Sequence, residues 1–368
     1  MKRLNQWGLN HTIALQIIAS TIEKKAALSY LWPRFQNKEG RSVTFTALYD
    51  SSRDVTTFSS RREEASIQVS QKLSKPTTIL FRYSYRRVST NDVVIPALLV
   101  PQLLQPVRLG IVSASLVQDR RDNSSNAHRG LYNTLDVAVT SKVFGSQRSF
   151  LRIVGKNATY YPLTRYVTLA RQTTLGTILP FATPGGLSDS DAVPLPERLF
   201  GGGNVTQRGF PENQAGPRDL GTPAGPGGTA TSPTGFPLGG NALFFNTVEL
   251  RFPLLGDNIN GVLFHDAGNV FRNLSSLSFR VRQRNLQDFD YMVHAAGFGI
   301  RYKTPVGPVR LDLAYSINPP SYVGFKGTLN ELLQCNPGIP AAQLPDACRG
   351  QTQNISHFQF FFSIGQTF

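Results

Sequence analysis

Two groups of residues have the types that catalysis uses, and neither has the neighbours that would complete an active site. His265 precedes Asp266, a pair that could relay a proton, but no Ser or Cys nucleophile lies nearby in the sequence. The glycine run from Gly201 to Gly203 lacks the Lys and Ser/Thr that follow in a phosphate-binding loop. No spacing fits a zinc or EF-hand site. The sequence therefore favours a protein that is not an enzyme and that uses no metal or cofactor.

The stretch 199–240 carries the side chains with the clearest binding chemistry. It holds twelve Gly and six Pro in forty-two positions. A flexible linker is rich in Gly and Ser and otherwise plain, whereas this stretch also contains Phe200, Arg208, Phe210 and Phe236. The Arg guanidinium presents five donors in a rigid fork that suits a carboxylate. We therefore expect a loop that docks onto the rest of the protein.

Length and composition set the class of protein that must position this loop. The 368 residues would make two or three soluble domains or one large β-barrel. The longest nearly apolar run, 93–104, is broken by two Pro and is shorter than the roughly twenty residues of a membrane-spanning helix. The 24 Phe and 12 Tyr disfavour disorder. A large, basic, β-rich protein with a net charge of +15 remains.

Alternation of apolar and polar residues with a period of two is the dominant pattern, and no segment has a convincing helical period. In one segment Val309 and Leu311 fall on one side of the strand, and Arg310 and Asp312 fall on the other. The pattern predicts about fourteen strands: 9–21, 26–36, 41–50, 62–73, 76–88, 106–118, 131–143, 148–157, 164–176, 241–254, 259–270, 291–304, 307–316 and 356–368.

The properties of these strands favour a membrane barrel over a soluble β-sandwich. Many have nine to thirteen residues, the length that crosses a bilayer when tilted, whereas globular strands usually have about five or six. Tight turns such as 73–77 alternate with long connections such as 177–240 and 317–355, the arrangement of periplasmic turns and outside loops. Charged side chains also lie well inside strands, as in the wall of a wet lumen: Arg82, Arg86, Arg301, Lys303 and Arg310.

Five short motifs, in one order along the chain, resemble the BamA/TamA family of outer-membrane protein assembly factors, also called the bacterial surface antigen family. The strong motifs cover roughly 198–368, and the first half resembles the family only in its strand rhythm and in segments such as 119–122. The five are Arg208-Gly209-Phe210; Glu249 within Val248-Glu249-Leu250-Arg251-Phe252-Pro253; Phe264-x-Asp266-x-Gly268; Thr304-Pro305-Val306-Gly307-Pro308; and the closing Ser363-Ile364-Gly365-Gln366-Thr367-Phe368.

The resemblance implies a role for each motif residue in the loop and the wall. In the family the long extracellular loop folds into the barrel lumen, which would place Arg208, Gly209 and Phe210 there. Glu249 and Asp266 would anchor the loop, and both fall on the side of their strands opposite the apolar residues. If the contact is dry, removing Arg208 should cost about 3–5 kcal/mol. The alternative is that Arg208 is a solvated loop charge.

The resemblance also implies a mechanism without covalent chemistry. In the family the first and last barrel strands form a weak seam that opens toward lipid, thins the bilayer and templates an incoming strand. The segment 356–368 would be the last strand, and Gly365 fits a weak seam because Gly weakens a strand interior. The expected seam residues are Phe358, Phe360, Phe362, Ile364, Gly365 and Phe368, and all except Gly365 fall on one side of the strand.

We therefore expect residues 1–368 to form a single all-β domain, a transmembrane antiparallel barrel in the outer membrane of a Gram-negative-type envelope. About fourteen strands are present of the family's roughly sixteen, with an inward loop at 199–240. Neither periplasmic modules nor a clean secretion signal is found. One hypothesis is that the chain is the C-terminal portion of a longer protein; the other is a compact barrel with miscounted N-terminal strands.

The function that the resemblance implies is the folding and insertion of other outer-membrane proteins. Its partners would be outer-membrane lipid, nascent outer-membrane proteins as clients, and periplasmic or lipoprotein accessory subunits. Nucleic acid is not expected, because the basic residues follow the strand period. The alternatives are a protein-secretion pore of the same superfamily and a passive porin-like channel.

Cys335 and Cys348 are the two cysteines of the chain, and both lie in the last long connection. A connection outside the cell is in an oxidising compartment. We therefore expect a disulfide between them, and the alternative is two unrelated thiols.

Overall fold

The computed structural model describes most of the chain, and every structural statement below concerns the described residues. These are 2–6, 8, 10–21, 23–55, 58–91, 106–124, 126–182, 192–221, 233–256, 258–304, 309–328, 331, 335, 348 and 350–364. Of the predicted motif and seam residues, Pro305 to Pro308 and Gly365 to Phe368 lie outside the described residues. Among those that are described, no helix has both the length and the apolar character needed to cross a membrane.

The described chain is built almost entirely from antiparallel strands. Fifteen of them form one sheet in which each strand pairs with its neighbour in the chain, until β14 pairs with β17. The strands are β1 (Lys2–Gln6), β2 (His11–Ala19), β3 (Glu23–Pro33), β4 (Arg41–Val55), β5 (Phe58–Lys72), β6 (Thr77–Asn91), β7 (Val107–Asp119), β8 (Gly130–Thr140), β9 (Phe150–Pro162), β10 (Thr168–Pro180), β11 (Ala242–Leu255), β12 (Ile259–Phe271), β13 (Val293–Tyr302), β14 (Val309–Ser316), β15 (Ser321–Gly324), β16 (Gln351–Asn354) and β17 (Phe358–Ile364).

All fourteen predicted strands are present, so the expected all-β antiparallel fold is confirmed. The structure adds β1, which pairs with β2, and a separate two-stranded hairpin of β15 and β16 within the last long connection. These three strands have only four or five residues each. Runs this short do not show a period of two clearly, which is why the sequence pattern did not predict them.

The two faces of the sheet differ in the way that the alternation predicts. On β14, Leu313 is 52% exposed on the outer face, whereas Asp312 is 1% exposed on the inner face. The same contrast recurs along the other strands, with aromatic and aliphatic side chains outside and buried charged residues inside. An outer surface of this kind suits a lipid environment, because a sheet in water would expose its polar face instead.

A row of polar side chains interrupts this apolar outer face. It crosses β7 to β11 at directly paired positions. Its members hydrogen-bond to one another. Asn157 donates to Asn133, Asn133 donates to Gln118, and Thr173 donates to Asn246. Mutual hydrogen bonding of this kind is required wherever lipid offers no partner.

The strand ends also differ in their connections. Short turns join β3 to β4, β5 to β6 and β9 to β10 at one end of the sheet, and the long connections lie at the other end. The turn 120–129 is longer than its neighbours, but Asp122 organises it by accepting hydrogen bonds from the amides of Asn123, His128 and Arg129. Burial opposes ionisation of Asp122, yet these bonds outweigh it and hold the pKa of the carboxyl below its usual value.

Candidate functional site

The segment between β10 and β11 runs along the inner face of the sheet. We call its described residues, 192–221 and 233–240, the lumen loop. Leu199 and Gly240 close its base through two backbone hydrogen bonds of 2.8 and 2.9 Å. Most of its residues are buried, so the sheet wraps around the loop rather than merely carrying it.

Arg208 is the most tightly held residue of the lumen loop. Its guanidinium forks onto Asp266, with Nε 2.8 Å from Oδ2 and Nη2 2.9 Å from Oδ1, and its backbone amide donates to Oδ2 at 2.9 Å. Nη1 donates to Glu249 Oε1 at 2.9 Å. The guanidinium also lies 3.4 Å from the ring centre of Phe264. Arg208 is only 3% exposed, so the contact is dry.

The two carboxylates belong to a larger charged network on β11 to β14. Glu249 also accepts two hydrogen bonds from Arg251, at 2.8 and 2.9 Å. A third buried carboxylate, Asp312, lies 3.6 Å from Arg208. Asp312 accepts hydrogen bonds from Arg310 on its own strand, β14, and from Arg301 on the neighbouring β13. Four guanidinium groups thus surround three carboxylates, and each carboxylate contacts at least one of them.

The residues on either side of Arg208 fix the backbone of the motif. Gln207 donates to the carbonyl of Val293 at 3.0 Å and accepts from the amide of Gly209 at 2.6 Å. A Cβ on Gly209 would lie 2.9 Å from the Cβ of Ala295 on β13. Gly209 therefore lets the loop approach the wall closely.

Phe210 packs in the apolar core between the loop and the wall. It is fully buried and lies in the cluster that includes Leu199, Phe245, Val270 and Val293. Burial of a whole Phe side chain stabilises the docked position by about 1.5–3 kcal/mol. The Arg208-Gly209-Phe210 segment thus combines a salt bridge, a close backbone approach and an apolar anchor.

The loop also contacts the opposite part of the wall. Glu197 accepts from Arg86 on β6 at 2.8 Å, and Arg86 lies 3.7 Å from Glu64 on β5. Phe200 packs against Phe58 with ring centres 6.0 Å apart. Because these contacts and the Arg208 contacts lie on distant strands of the sheet, the loop bridges the interior of a barrel.

A second buried arginine holds the part of the loop nearest the long connections. Arg218 donates to the carbonyls of Gln214 and Gly235, both at 2.7 Å, and its guanidinium lies 4.2 Å from the ring centre of Tyr322 on β15. Burial lowers the pKa of Arg218 to about 10, so the group remains charged at neutral pH. Burial also disfavours the charged form of the neighbouring Asp219 carboxyl and therefore raises its pKa, although a hydrogen bond from Thr234 opposes the shift.

Cys335 and Cys348 form a disulfide in the connection that carries β15 and β16. Phe325 packs against the pair. The bond therefore lies close to the hairpin that supplies Tyr322 to the loop.

The arrangement has the features of a docking site rather than of a catalytic one. Asp266 points inward, whereas His265 is exposed on the outer face, where its ring nitrogen lies 3.2 Å from that of His294. The wall thus separates the His–Asp pair that the sequence suggested as a possible relay. In the described part of the chain, no group of three or more His, Cys, Asp or Glu side chains could hold a metal ion.

The structure places Arg208, Gly209, Phe210, Glu249 and Asp266 at one interface between the lumen loop and the wall. The sequence analysis missed the part that Asp312 and Arg301 play in the same network. Both are inward charges on adjacent strands, which is the signal that could have found them, but their proximity to Glu249 depends on the register of β11 to β14. The seam residues Phe358, Phe360, Phe362 and Ile364 lie on the outer face of β17, whose neighbour β14 carries Arg310 and Asp312 of this network on the inner face.

Comparison with known proteins gives one family and two similar folds. Residues 5–368 match the model of the Omp85 superfamily domain. The fold is similar to BamA from Haemophilus ducreyi lacking POTRA domains 1–3, at 17% identity and a TM-score of 0.72, covering 98% of this chain and 65% of that chain. It is also similar to CdiB from Escherichia coli, at 14% identity and a TM-score of 0.51, covering 98% of this chain and 57% of that chain. The chain therefore spans less than two thirds of either protein.

Proposed function

This chain belongs to the Omp85 superfamily of non-enzymatic outer-membrane barrels, and we propose that it folds and inserts other outer-membrane proteins through the seam at its last strand. Its partners would be outer-membrane lipid and nascent outer-membrane proteins, together with periplasmic or lipoprotein accessory subunits.

The free edge of β17 is the observation that carries the proposal. Among the described residues, β17 pairs with β14 on one side and with no strand on the other. An unpaired strand edge is a ready template for another chain. In lipid such an edge lacks water to hydrogen-bond with it, so an incoming strand would relieve a substantial free-energy penalty.

The exposure of β17 supports the same conclusion. Its outward side chains are 60–67% exposed, more than Leu263 in the middle of the sheet at 50%. An incoming strand would cover part of this apolar surface.

The backbone register identifies which groups an incoming strand would meet. The amide of Ser316 donates to the carbonyl of His357, and the pairing continues through Ala314 and Gln359. In an antiparallel pair, residues alternate between bonding to the neighbour and facing away from it. Phe358, Phe360, Phe362 and Ile364 therefore present their amides and carbonyls to the free edge.

The test is a proline at that edge. Phe360→Pro removes one edge donor and leaves the ladder to β14 intact, since proline is tolerated where the amide faces away from the ladder. The control, Phe360→Leu, keeps the donor. Each variant is reconstituted in phosphatidylcholine vesicles, and the folding rate of a small urea-denatured outer-membrane barrel is measured by protease protection.

The proposal predicts that Phe360→Pro folds normally but slows assisted folding about fivefold, which corresponds to the roughly 1 kcal/mol of one backbone hydrogen bond. Phe360→Leu should match the wild type. Equal rates for both variants and the wild type would contradict the proposal and favour the alternative role as a secretion pore.

A further inference from the structure

A basic patch lies on the outer face of β3, β5, β6 and β7, beside the long connections. Lys24, Arg61, Arg87 and Arg108 occupy outward positions near those strand ends. The one acidic side chain among them is Glu63, which pairs with Arg61 at 2.9 Å and lies directly opposite Arg87 on β6. The patch carries a surplus of positive charge at the boundary of the apolar outer face.

Arg87 and Arg108 form the centre of this patch. They are directly opposite each other on β6 and β7 and are both exposed. Like charges at directly opposite positions repel and destabilise a sheet. Within the described residues, neither guanidinium has a hydrogen bond or an ion pair with the protein. Glu63, opposite Arg87 on the other side, offsets part of this repulsion, and an anionic ligand would relieve the rest.

A shallow apolar depression adjoins the two arginines. Ala47 and Ala65 are paired across β4 and β5, and the larger Leu28 and Tyr85 stand on either side of them in the same row. The depression has a volume of ≈ 560 Å³, and Arg87, Glu63 and Glu64 are the charged residues of its lining. Small side chains between large ones leave a trough in a surface that otherwise faces the hydrocarbon of the bilayer.

We propose that this trough and the Arg87–Arg108 pair form a binding site for an anionic lipid with a terminal phosphate, in the leaflet beside the long connections. The acyl chain would lie against Ala47 and Ala65, and the phosphate would bridge the two guanidinium groups.

The position of the site along the membrane normal fits a lipid with its phosphate at headgroup level. Tyr49 and Tyr85 flank the trough, and aromatic rings of this kind mark the interface between hydrocarbon and headgroups. Arg87 follows Tyr85 by two residues on the same face, toward the long connections. The arginines therefore lie at headgroup level, where a guanidinium can bind phosphate oxygens through two donors.

The test uses native mass spectrometry of the full chain released from detergent micelles that contain phosphatidic acid or phosphatidylcholine. Three variants are compared with the wild type. Arg87→Gln/Arg108→Gln removes the charges, Ala65→Leu fills the trough, and Arg165→Gln removes one exposed charge from a short turn as the matched control. Heat-resistant migration on gels checks that each variant folds.

The wild type should retain phosphatidic acid in preference to phosphatidylcholine. The double arginine variant should bind it about thirtyfold more weakly, since each basic residue at an anionic headgroup contributes roughly fivefold. Ala65→Leu should also lose retention, and Arg165→Gln should not.

Two results would overturn the proposal. Unchanged retention in the double arginine variant would show that the charges do not bind the headgroup. Loss only in the arginine variant, with full displacement by inorganic phosphate, would show a phosphate site without a lipid chain. These outcomes are independent of the assisted-folding assay, so the lipid site and the proposed function can fail separately.

Discussion

At the scale of single residues, the centre of the molecule is a dry network in which every carboxylate depends on an arginine. Asp266 and Glu249 are each 1% exposed and are held by Arg208. Buried charges are stable only when each is paired and hydrogen-bonded. The network therefore favours the docked position of the lumen loop, in which Asp266 and Glu249 are both paired with Arg208.

Replacing Arg208 tests this dependence. Arg208→Ala leaves the buried Asp266 without the guanidinium that forks onto it, removes one of the partners of Glu249, and should destabilise the docked state by about 3–5 kcal/mol. Arg208→Lys keeps the charge but loses the fork and should fall between the alanine variant and the wild type. The measurement is the temperature at which the folded barrel loses its heat-resistant migration on gels.

Arg165→Ala is the matched control for this series, because Arg165 is exposed in a short turn. It should migrate like the wild type. Wild-type migration of Arg208→Ala as well would show that the contact contributes nothing to holding the loop.

The extent to which these residues could be predicted differs from one to the next. Arg208, Glu249 and Asp266 were expected because a motif resemblance named them and the strand period placed both carboxylates inside. Asp312 was visible as an inward charge, but its approach to Arg208 depends on how β11 to β14 are staggered. That stagger arises from cross-strand packing, which no local pattern records.

At the scale of elements, the turn at Gly202 sets the path of the lumen loop. Its φ of +110° is a conformation that L side chains rarely adopt, and a Cβ there would lie 2.5 Å from the carbonyl oxygen of Pro211. Gly202→Ala should therefore destabilise the loop by roughly 1–3 kcal/mol. Limited proteolysis should cut the loop faster in this variant, and an unchanged cleavage rate would contradict the account.

The disulfide between Cys335 and Cys348 gives a second prediction at this scale. It joins two cysteines with a sequence separation of 13. Closing such a loop lowers the entropy of the unfolded chain and stabilises the folded state by about 3 kcal/mol. Digestion of the denatured protein with endoproteinase Asp-N, which cleaves before Asp346, should leave the peptides on either side of that cut joined until a reductant is added. Peptides that separate without reductant would rule out the bond.

The strands themselves were largely predictable, and the failures have a common cause. Long strands with one face in lipid and the other in the lumen must alternate, so β2 to β14 and β17 can be found from the sequence. The hairpin of β15 and β16 lies outside the membrane wall and is too short to show a period. The outward Arg171, which blurs the pattern of β10, donates to Asn246 on β11, a partner that the sequence does not reveal.

At the scale of the whole molecule, the described sheet is a wall around an occupied interior, with β1 at one edge and β17 at the other. The lumen loop contacts β6 through Glu197 and β12 through Arg208. A barrel filled in this way should conduct ions poorly in planar bilayers. Arg208→Ala should raise the conductance by releasing the loop, whereas high conductance that is the same in both proteins would favour a passive porin-like channel.

The free edge of β17 gives the account its central claim, that an incoming strand pairs there. The most direct measurement is disulfide cross-linking between an outer-membrane client with a cysteine in its last strand and this chain carrying Phe360→Cys. Leu263→Cys, on the outer face of β12 in the middle of the sheet, is the control. Cross-links at position 360, at one fixed client register, are the predicted result. Equal cross-linking at both positions, or none at position 360, would contradict the account.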